Sequence, residues 1–156
     1  MDVLTYTDAR ANLKAVMDRV VEDRTQVVVT RQKSEAVVMM SLADWNAVEE
    51  MLRYMPSVVG WRRKARVATT VGGVDLPAGA EVLMITGSAN RDEGHFPAGE
   101  KLDITRENAR THLSFGYGIH YCLGFQLAKM EAAILLRQLA QRFPTLRLAP
   151  EFQAEY

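Results

Sequence analysis

The spacing of hydrophobic residues in the first third of the chain predicts a strand, a helix and a hairpin. The short apolar run 3–6 predicts the strand. Thr7 follows at the expected N-cap of an amphipathic helix that ends near Glu22. Two runs of β-branched or apolar residues, 26–30 and 36–40, flank a polar turn and predict the two strands of the hairpin.

A second amphipathic helix is predicted directly after the hairpin. Ser41 and Asp44 form a pair that resembles a capping box, with Asp in place of the usual Glu, and Pro56 ends the helix. Four apolar residues lie along it at helical spacing: Trp45, Val48, Leu52 and Met55. The first third of the chain is therefore expected to have the element order β-α-β-β-α.

The pattern changes after residue 60, where strands, irregular chain and a long helix follow one another. Residues 67–76 predict a hairpin around a Gly-Gly turn, and residues 82–85 begin another apolar element. The stretch 87–113 is rich in Gly, Pro, Asn, Asp and Arg and has little periodicity, which is typical of a functional loop. Apolar residues at helical spacing in 127–143 predict the last helix. The whole pattern predicts a protein of the α+β class.

The composition favours an ordinary globular protein without a strong electrostatic preference. The chain has 156 residues, of which 48% are hydrophobic, and Lys plus Arg equal Asp plus Glu at 19 each. Any contact with nucleic acid must therefore come from a local patch, because net charge does not attract the chain to it. No apolar run approaches the roughly 20 residues of a membrane helix, and the N-terminus lacks the apolar core of a signal peptide. We expect a cytoplasmic protein that does not enter a membrane.

The single cysteine of the chain, Cys122, lies in a glycine-rich loop with the frame F-G-x-G-x-H-x-C-x-G over residues 115–124. Backbone amides ahead of the following helix favour a thiolate and would tune an iron bound to it. His112 and His120 lie near this cysteine and would pair with carboxylates. Positive φ and close backbone approach to a flat ligand are expected at three glycines: Gly116, Gly118 and Gly124. The alternative is a glycine-rich turn around a buried structural cysteine.

Residues 49–149 resemble the C-terminal quarter of a bacterial cytochrome P-450. The cysteine loop carries most of the resemblance, because its full frame is far more specific than a lone pair of glycines. Residues 50–53 match the Glu-x-x-Arg helix of that family, 58–65 match its heme-binding strand, and 87–97 match its meander. The resemblance implies a hairpin, an irregular meander, the cysteine loop and a long helix.

The same resemblance implies roles for individual residues toward heme. Cys122 would be the thiolate ligand of the iron, and Glu50 and Arg53 would form a buried structural ion pair. The heme propionates would be contacted by Arg63, His112 and His120. The remaining cofactor-binding positions are Phe115, Gly116 and Gly124. Heme is therefore the expected cofactor, and its iron is the expected metal.

Two features depart from the pattern of that family. Lys101 and Leu102 stand where the meander usually has an arginine and an aromatic residue, and lysine cannot reproduce the planar fork of arginine. We therefore expect a weakened ion-pair cluster around Glu50. The family also binds oxygen and substrate under a distal helix with an acid–threonine pair, and nothing before Glu49 resembles it. An uncovered heme face loses the dry site for oxygen chemistry, so autonomous monooxygenase turnover is not expected and no catalytic residue is assigned.

Residues 1–52 resemble a second family, the Phd/YefM antitoxins of bacterial toxin–antitoxin operons. The resemblance lies in the stretches 5–23 and 27–52, in their spacing and in the β-α-β-β-α order. It implies an N-terminal domain that dimerises and binds operator DNA, with a cognate toxin as a further partner. The usual toxin-binding tail is replaced here by the cytochrome-like segment.

Three basic residues would contact operator DNA under the second resemblance: Arg10, Arg31 and Lys33. Arginine suits both base edges and phosphates, and lysine suits phosphates. The alternative is that all three are solvated surface charges, which is the usual place of such side chains.

The two resemblances together predict a fusion of an antitoxin-like domain, 1–52, with a cytochrome-like heme-loop fragment, 53–156. The main hypothesis is an antitoxin-like DNA-binding protein, of the autorepressor type, that carries a heme-binding segment. The first alternative is a heme-thiolate monooxygenase fragment whose distal half is supplied by a partner. The second alternative is a chimera that folds and has neither activity.

Overall fold

The computed structural model describes residues 2–147 and 149. Its first six elements follow the order predicted from the hydrophobic pattern, except that the first helix is divided in two. They are β1 (Asp2–Thr5), α1 (Tyr6–Ala11), α2 (Leu13–Glu22), β2 (Val27–Arg31), β3 (Ser34–Met39) and α3 (Leu42–Tyr54).

The first helix begins earlier than predicted. Thr5, not Thr7, caps α1, because its side-chain oxygen accepts a hydrogen bond from the Asp8 amide at 3.2 Å. The chain leaves the helical conformation at Asn12, where φ is −120°, and α2 begins at Leu13. The predicted N-cap at Thr7 is therefore wrong by two residues, and the predicted single helix is two consecutive helices.

Strands β1, β2 and β3 form one sheet in that order, with β1 parallel to β2 and β2 antiparallel to β3. Parallel neighbours need a crossover connection, which α1 and α2 provide. The hydrophobic core between the sheet and these helices consists of Ala9, Val16, Val20, Val27 and Val29, with Leu4 and Met39 packed against it. The core lies on one face of the sheet, and Val3 on the other face is 63% exposed.

Helix α3 connects this sheet region with the part of the chain that follows it. Ser41 caps it as predicted, since its Oγ accepts a hydrogen bond from the Asp44 amide at 3.1 Å. Arg24, which follows α2, donates to both Ser41 Oγ and Asp44 Oδ1 at 3.1 Å. The opposite end of α3 carries the fully buried side chains of Glu50 and Arg53. The N-terminal end of α3 therefore contacts the chain before it, and its C-terminal end contacts the chain after it.

The remaining elements are shorter, apart from the last helix. They are β4 (Trp61–Lys64), β5 (Thr69–Val71), β6 (Val74–Leu76), β7 (Glu81–Met84), α4 (Thr86–Ala89) and α5 (Phe125–Arg142). Strand β4 pairs antiparallel with β7, and β5 pairs antiparallel with β6. Two single-turn 3₁₀ helices, Ala109–Thr111 and Gly118–His120, lie within the irregular chain before α5. The predicted hairpin and long final helix are confirmed, and the apolar element expected from residue 82 is part of strand β7.

The chain divides into two compact units, 1–122 and 123–156. The domain boundary predicted after residue 52 falls inside α3 and within the first unit, and that division remains a prediction. The second unit consists, in its described part, of α5 and the residues beside it. Among residues 2–147 and 149, no helix is both long and apolar enough to cross a membrane.

Candidate functional site

A buried ion pair lies at the C-terminal end of α3. Arg53 Nε donates to Glu50 Oε2 at 2.7 Å and Arg53 Nη2 donates to Glu50 Oε1 at 2.8 Å, so the two side chains meet in a bidentate arrangement. Both side chains are fully buried. Their spacing of three residues places them on one face of the helix. The predicted structural ion pair is therefore present in the fold.

A second arginine completes this cluster. Arg106 Nε donates to Glu50 Oε1 at 3.2 Å, and the Asp103 amide donates to the same oxygen at 2.8 Å. The Arg106 side chain is 8% exposed. The expectation that Lys101 would weaken the cluster is wrong, because the arginine comes from five residues further along the chain. Lys101 is exposed and contributes its backbone carbonyl, which accepts from Arg53 Nη2 at 3.0 Å.

The two arginines also organise the irregular segment around them. Arg53 Nη1 donates to the carbonyl oxygens of Asn90 and Gly99 at 2.6 and 2.8 Å. Arg106 donates to the carbonyl oxygens of Pro97 and Ala98 at 2.8 and 3.2 Å. These carbonyl oxygens accept hydrogen bonds from guanidinium groups and not from the backbone amides of a strand or helix. An irregular segment can satisfy its backbone hydrogen-bonding groups in this way. Hydrogen bonds from these two arginines therefore hold the backbone of residues 97–101 in place.

The partners of Glu50 determine its charge state. Burial alone would raise the pKa of Glu50, but the hydrogen bonds from Arg53, the Asp103 amide and Arg106 outweigh it and lower the pKa below its usual 4.5. The carboxylate is therefore ionised at neutral pH. An ionised Glu50 is the state that two buried arginines require.

His112 lies in the protein interior, where it contacts the residue next to Glu50. Its Nε2 is 3.2 Å from Glu49 Oε2, and both side chains are at most 2% exposed. Its Nδ1 accepts a hydrogen bond from the Ser114 amide at 3.1 Å. Both ring nitrogens thus face protein groups. His112 thus forms an internal link between α3 and the segment before the cysteine loop, and its contact with a heme propionate remains a prediction.

The cysteine loop is closed by backbone hydrogen bonds. The Cys122 amide donates to the Phe115 carbonyl oxygen at 2.9 Å, and the Tyr121 amide donates to the Gly118 carbonyl oxygen at 3.0 Å. Gly116 and Gly118 have φ of 80° and 66°, values that favour glycine, as predicted. Cys122 carries a free, exposed thiol, so the alternative of a buried structural cysteine is wrong.

The third glycine of the loop behaves differently from the prediction. Gly124 has φ of −87° and lies at the N-cap position of α5, so positive φ does not explain its presence. An added Cβ at Gly124 would meet no atom within 4 Å. Nothing in the described structure explains why this position is glycine.

Aromatic side chains line the loop on the side of Cys122. The rings of His112 and Phe115 are 5.7 Å apart, and those of Phe115 and Tyr121 are 6.3 Å apart in an edge-to-face arrangement. Burial and then the negative charges of Glu49 and Cys122 raise the pKa of the Tyr121 phenol. Phe115, the first residue of the loop, thus contacts both of these rings, and its packing against the cysteine sulfur remains a prediction.

The other predicted heme contacts are exposed. Arg63 lies in β4 opposite Val82 of β7, and its Nη1 donates to the Arg62 carbonyl oxygen at 3.1 Å. His120 ends the 3₁₀ helix Gly118–His120 and is exposed. Among residues 2–147 and 149, no group of three or more His, Cys, Asp or Glu side chains is arranged to hold a metal ion. A metal at Cys122 would therefore need other ligands, and a porphyrin supplies them.

The residues predicted to contact DNA lie on the surface of the N-terminal sheet region. Arg10 is exposed in the last turn of α1, and Lys33 is exposed in the turn between β2 and β3. Arg31 donates through Nε and Nη2 to the Glu35 carbonyl oxygen at 3.1 and 2.9 Å. The guanidinium of Arg31 therefore spans its own hairpin turn.

Three residues of the site were missed in the sequence: Arg106, Asn90 and Ser114. Asn90 is fully buried, and its side chain bonds to the Leu113 amide and to Ser114 Oγ. Arg106 follows an Asp-x-Thr turn, in which Asp103 Oδ1 accepts from the Thr105 amide and hydroxyl. The Asp-x-Thr sequence of that turn was the signal that could have indicated Arg106, since the turn fixes the backbone just before this arginine. Asn90 and Ser114 lie in non-periodic sequence and gave no comparable signal.

Comparison with known proteins gives a match to the family Cytochrome P-450 over residues 4–151. The 6-deoxyerythronolide B hydroxylase of Saccharopolyspora erythraea is 48% identical over 103 residues, which are 66% of this chain and 25% of that protein. The mycinamicin IV hydroxylase/epoxidase of Micromonospora griseorubida is 43% identical over 114 residues, 71% of this chain and 28% of that protein. The chain spans about a quarter of the length of these relatives.

Solved structures give the same result. Cytochrome P-450 CREJ superposes with a TM-score of 0.67 at 54% identity, over 69% of this chain and 27% of that chain. The P-450 heme domain of Tepidiphilus thermophilus superposes with a TM-score of 0.68 at 47% identity, over 73% of this chain and 27% of that chain. These matches confirm the cytochrome part of the predicted fold.

The antitoxin resemblance receives no support from these comparisons. The family match begins at residue 4 and so includes residues 4–52 of the segment that was assigned to an antitoxin-like domain. The supported description is a mixed α and β fragment of the cytochrome fold. Proteins of this family bind heme, which confirms the predicted cofactor.

Proposed function

Because the chain belongs to the cytochrome P-450 family, we propose that it is the heme-binding segment of a heme-thiolate monooxygenase. Cys122 would supply the thiolate ligand of the iron. The observation that carries this proposal is the exposed thiol of Cys122. It lies in a loop that is closed by the hydrogen bond from the Cys122 amide to the Phe115 carbonyl oxygen. This alternative replaces DNA binding as the preferred function.

The residues at this loop fit the chemistry of a heme. A heme has an iron that accepts a thiolate, anionic propionates and apolar faces. The chain offers a free thiol at Cys122, a guanidinium at Arg63 and an imidazole at His120, all of them exposed. Apolar surface is also available in the loop, where Ile119 is 97% exposed and Tyr117 is 85% exposed. Thiolate, cation and apolar surface together match the groups that a heme presents.

When bound, heme would supply redox-active iron for the activation of oxygen. The residues of this chain would hold and orient it. Cys122 would place a negative sulfur against the iron, and Arg63 and His120 would balance the charge of the propionates. Phe115 would limit access of water to the sulfur from its side of the loop. Substrate binding and turnover would depend on the parts of a complete cytochrome that lie outside this quarter.

Heme titration of the purified protein tests this proposal. We expect one heme per chain, and we expect Cys122→Ala to weaken binding by at least about tenfold, because it removes the thiolate that would bind the iron. Arg63→Ala should also weaken binding, since it removes a charge-assisted contact. Ser88→Ala, an exposed serine outside the loop, is the matched control. Equal heme affinity for the wild type and Cys122→Ala would refute the assignment.

DNA binding is a second candidate, favoured by one observation. Residues 2–54 have the element order that the antitoxin resemblance predicted, with a hydrophobic core of their own. Under this candidate Arg10, Arg31 and Lys33 would contact operator DNA, and a second copy and a cognate toxin would be the other partners. A gel mobility shift with a palindromic operator tests it. Arg10→Ala should weaken the shift and Arg110→Ala should not, and equal shifts for both variants would exclude the candidate.

A further inference from the structure

Asn90 lies between the buried charge cluster and the segment that precedes the cysteine loop. Its side chain is fully buried. Its backbone carbonyl accepts from Arg53 Nη1 at 2.6 Å, which joins it to the ion pair on α3. Its Oδ1 accepts from the Leu113 amide at 2.7 Å, and its Nδ2 donates to Ser114 Oγ at 2.9 Å. One residue thus bonds to the charge cluster through its backbone and to the loop segment through its side chain.

Ser114 connects the same segment directly to α3. Its Oγ donates to the Leu52 carbonyl oxygen at 2.6 Å while it accepts from Asn90 Nδ2. A hydroxyl can do both, because it has one donor and two acceptor sites. The amide of Ser114 donates to His112 Nδ1, whose other ring nitrogen faces Glu49 of α3. Residues 112–114 are therefore linked to α3 through Glu49 and Leu52, and to Asn90 through Leu113 and Ser114.

The fixed segment in turn holds Cys122. The carbonyl oxygen of Leu113 accepts from the Gly116 amide at 2.9 Å, which closes the first turn of the loop. The carbonyl oxygen of Phe115 accepts from the Cys122 amide. The backbone of Cys122 is therefore tied to Phe115, which directly follows the segment that Asn90 and α3 hold in place.

We propose that Asn90 is a positioning residue for the Cys122 thiolate. It transmits the rigidity of the Glu50–Arg53–Arg106 cluster to the cysteine loop through Leu113 and Ser114. Asn90 does not touch the iron under this proposal. It limits how far the sulfur can move, and it thereby favours the thiolate-bound form of a heme complex over forms in which the sulfur is displaced. That last consequence rests on the proposed function, whereas the mechanical link does not.

Amide hydrogen exchange of the heme-free protein tests the mechanical link. Ser114→Ala removes the partner that orients the Asn90 amide, and Asn90→Ala removes the acceptor of the Leu113 amide itself. We expect exchange at Leu113 and Cys122 to become about tenfold faster in Ser114→Ala, and faster still in Asn90→Ala. The amides of β2 should exchange at the wild-type rate in Ser114→Ala. Ser88→Ala, an exposed serine outside this network, should leave all of these rates unchanged.

Two results would overturn the proposal. One is unchanged exchange at Leu113 and Cys122 in Ser114→Ala. The other is acceleration of the β2 amides by the same factor, since a general loss of stability would then explain the effect. If Asn90→Ala does not fold, Ser114→Ala alone decides. The side chain of Ser114 is only partly buried, so we expect this variant to fold.

The heme-loaded protein provides the second readout. We expect Ser114→Ala to bind heme but to give a smaller thiolate-type fraction in the absorption spectrum of the reduced carbon monoxide complex. An unchanged fraction would overturn the role of Asn90 toward the thiolate. If the wild type itself gives no thiolate-type spectrum, the proposed function fails, while the exchange rates still decide whether Asn90 positions the loop.

Discussion

The carboxylate of Glu50 accepts hydrogen bonds from two arginines in the interior of the protein. Burying charges is costly unless every donor and acceptor finds a partner. Arg53 donates to both oxygens of Glu50 and to three backbone carbonyls, so its guanidinium is satisfied without water. The cluster is therefore stable as a set and vulnerable to the removal of any single member.

Arg106→Ala tests this dependence. The substitution leaves part of the Glu50 charge uncompensated and also removes the hydrogen bonds that Arg106 donates to three carbonyl oxygens of the irregular segment, those of Pro97, Ala98 and Lys101. We expect a loss of about 3–5 kcal/mol in the free energy of unfolding, measured by urea denaturation. Arg110→Ala, an exposed arginine in the 3₁₀ helix Ala109–Thr111, should change it by less than about 0.5 kcal/mol. Equal losses in the two variants would contradict the account.

Acid should destabilise the protein through the same carboxylate. The folded-state pKa of Glu50 lies below its unfolded value of 4.5, so its contribution is fully present above that value. The contribution is then lost as the pH falls through the folded pKa. We expect the free energy of unfolding to fall below about pH 4.5, and to fall less steeply in Arg106→Ala, where one cause of the shift is missing. Parallel pH profiles for the two proteins would show that Glu50 does not contribute in this way.

The residue scale also shows what the sequence could and could not predict. Glu50, Arg53 and Cys122 were predicted because each belongs to a short motif with fixed spacing. Arg106 was missed because the arginine partner of Glu50 was expected at the position of Lys101. In an irregular segment, the long side chain of an arginine can reach the Glu50 carboxylate from another position. The contact between His112 and Glu49 was not predicted, because the sequence does not show that Glu49 faces the His112 ring.

Helices and strands were predicted where the hydrophobic period was strong. The apolar stripe of α3, its cap at Ser41 and the following Pro56 predicted both ends of that helix. The β-branched or apolar runs on either side of a polar turn predicted the hairpin of β2 and β3. The break at Asn12 was missed because the apolar spacing continues across it. Residues 87–113 have no period to use, since side chains rather than a backbone ladder hold much of that chain.

Ser41→Ala tests the cap of α3. The variant loses the hydrogen bond from the Asp44 amide and one partner of Arg24. We expect the free energy of unfolding to fall by about 1 kcal/mol, which chemical denaturation followed by circular dichroism would measure. Ser88→Ala, at an exposed position in the short helix α4, is the control and should be neutral. No loss in Ser41→Ala would mean that the cap does not contribute to stability.

On the scale of the whole molecule, one family accounts for most of the chain. The cytochrome match covers residues 4–151, and the relatives reported above align with 66–71% of the chain. The N-terminal element order was predicted correctly, yet its assignment to an antitoxin family is unsupported. A short β-α-β-β-α pattern determines local structure, but it does not identify a family, because many unrelated folds contain such an arrangement.

The central claim is that Cys122 binds heme iron as a thiolate, and the absorption spectrum of the reduced carbon monoxide complex tests it most directly. The chain contains one cysteine, so no other thiol can substitute. We predict a thiolate-type spectrum for the heme-loaded wild type and its loss in Cys122→Ala, with Ser88→Ala unchanged. A wild-type spectrum without the thiolate signature, or the same spectrum in Cys122→Ala, would contradict the account.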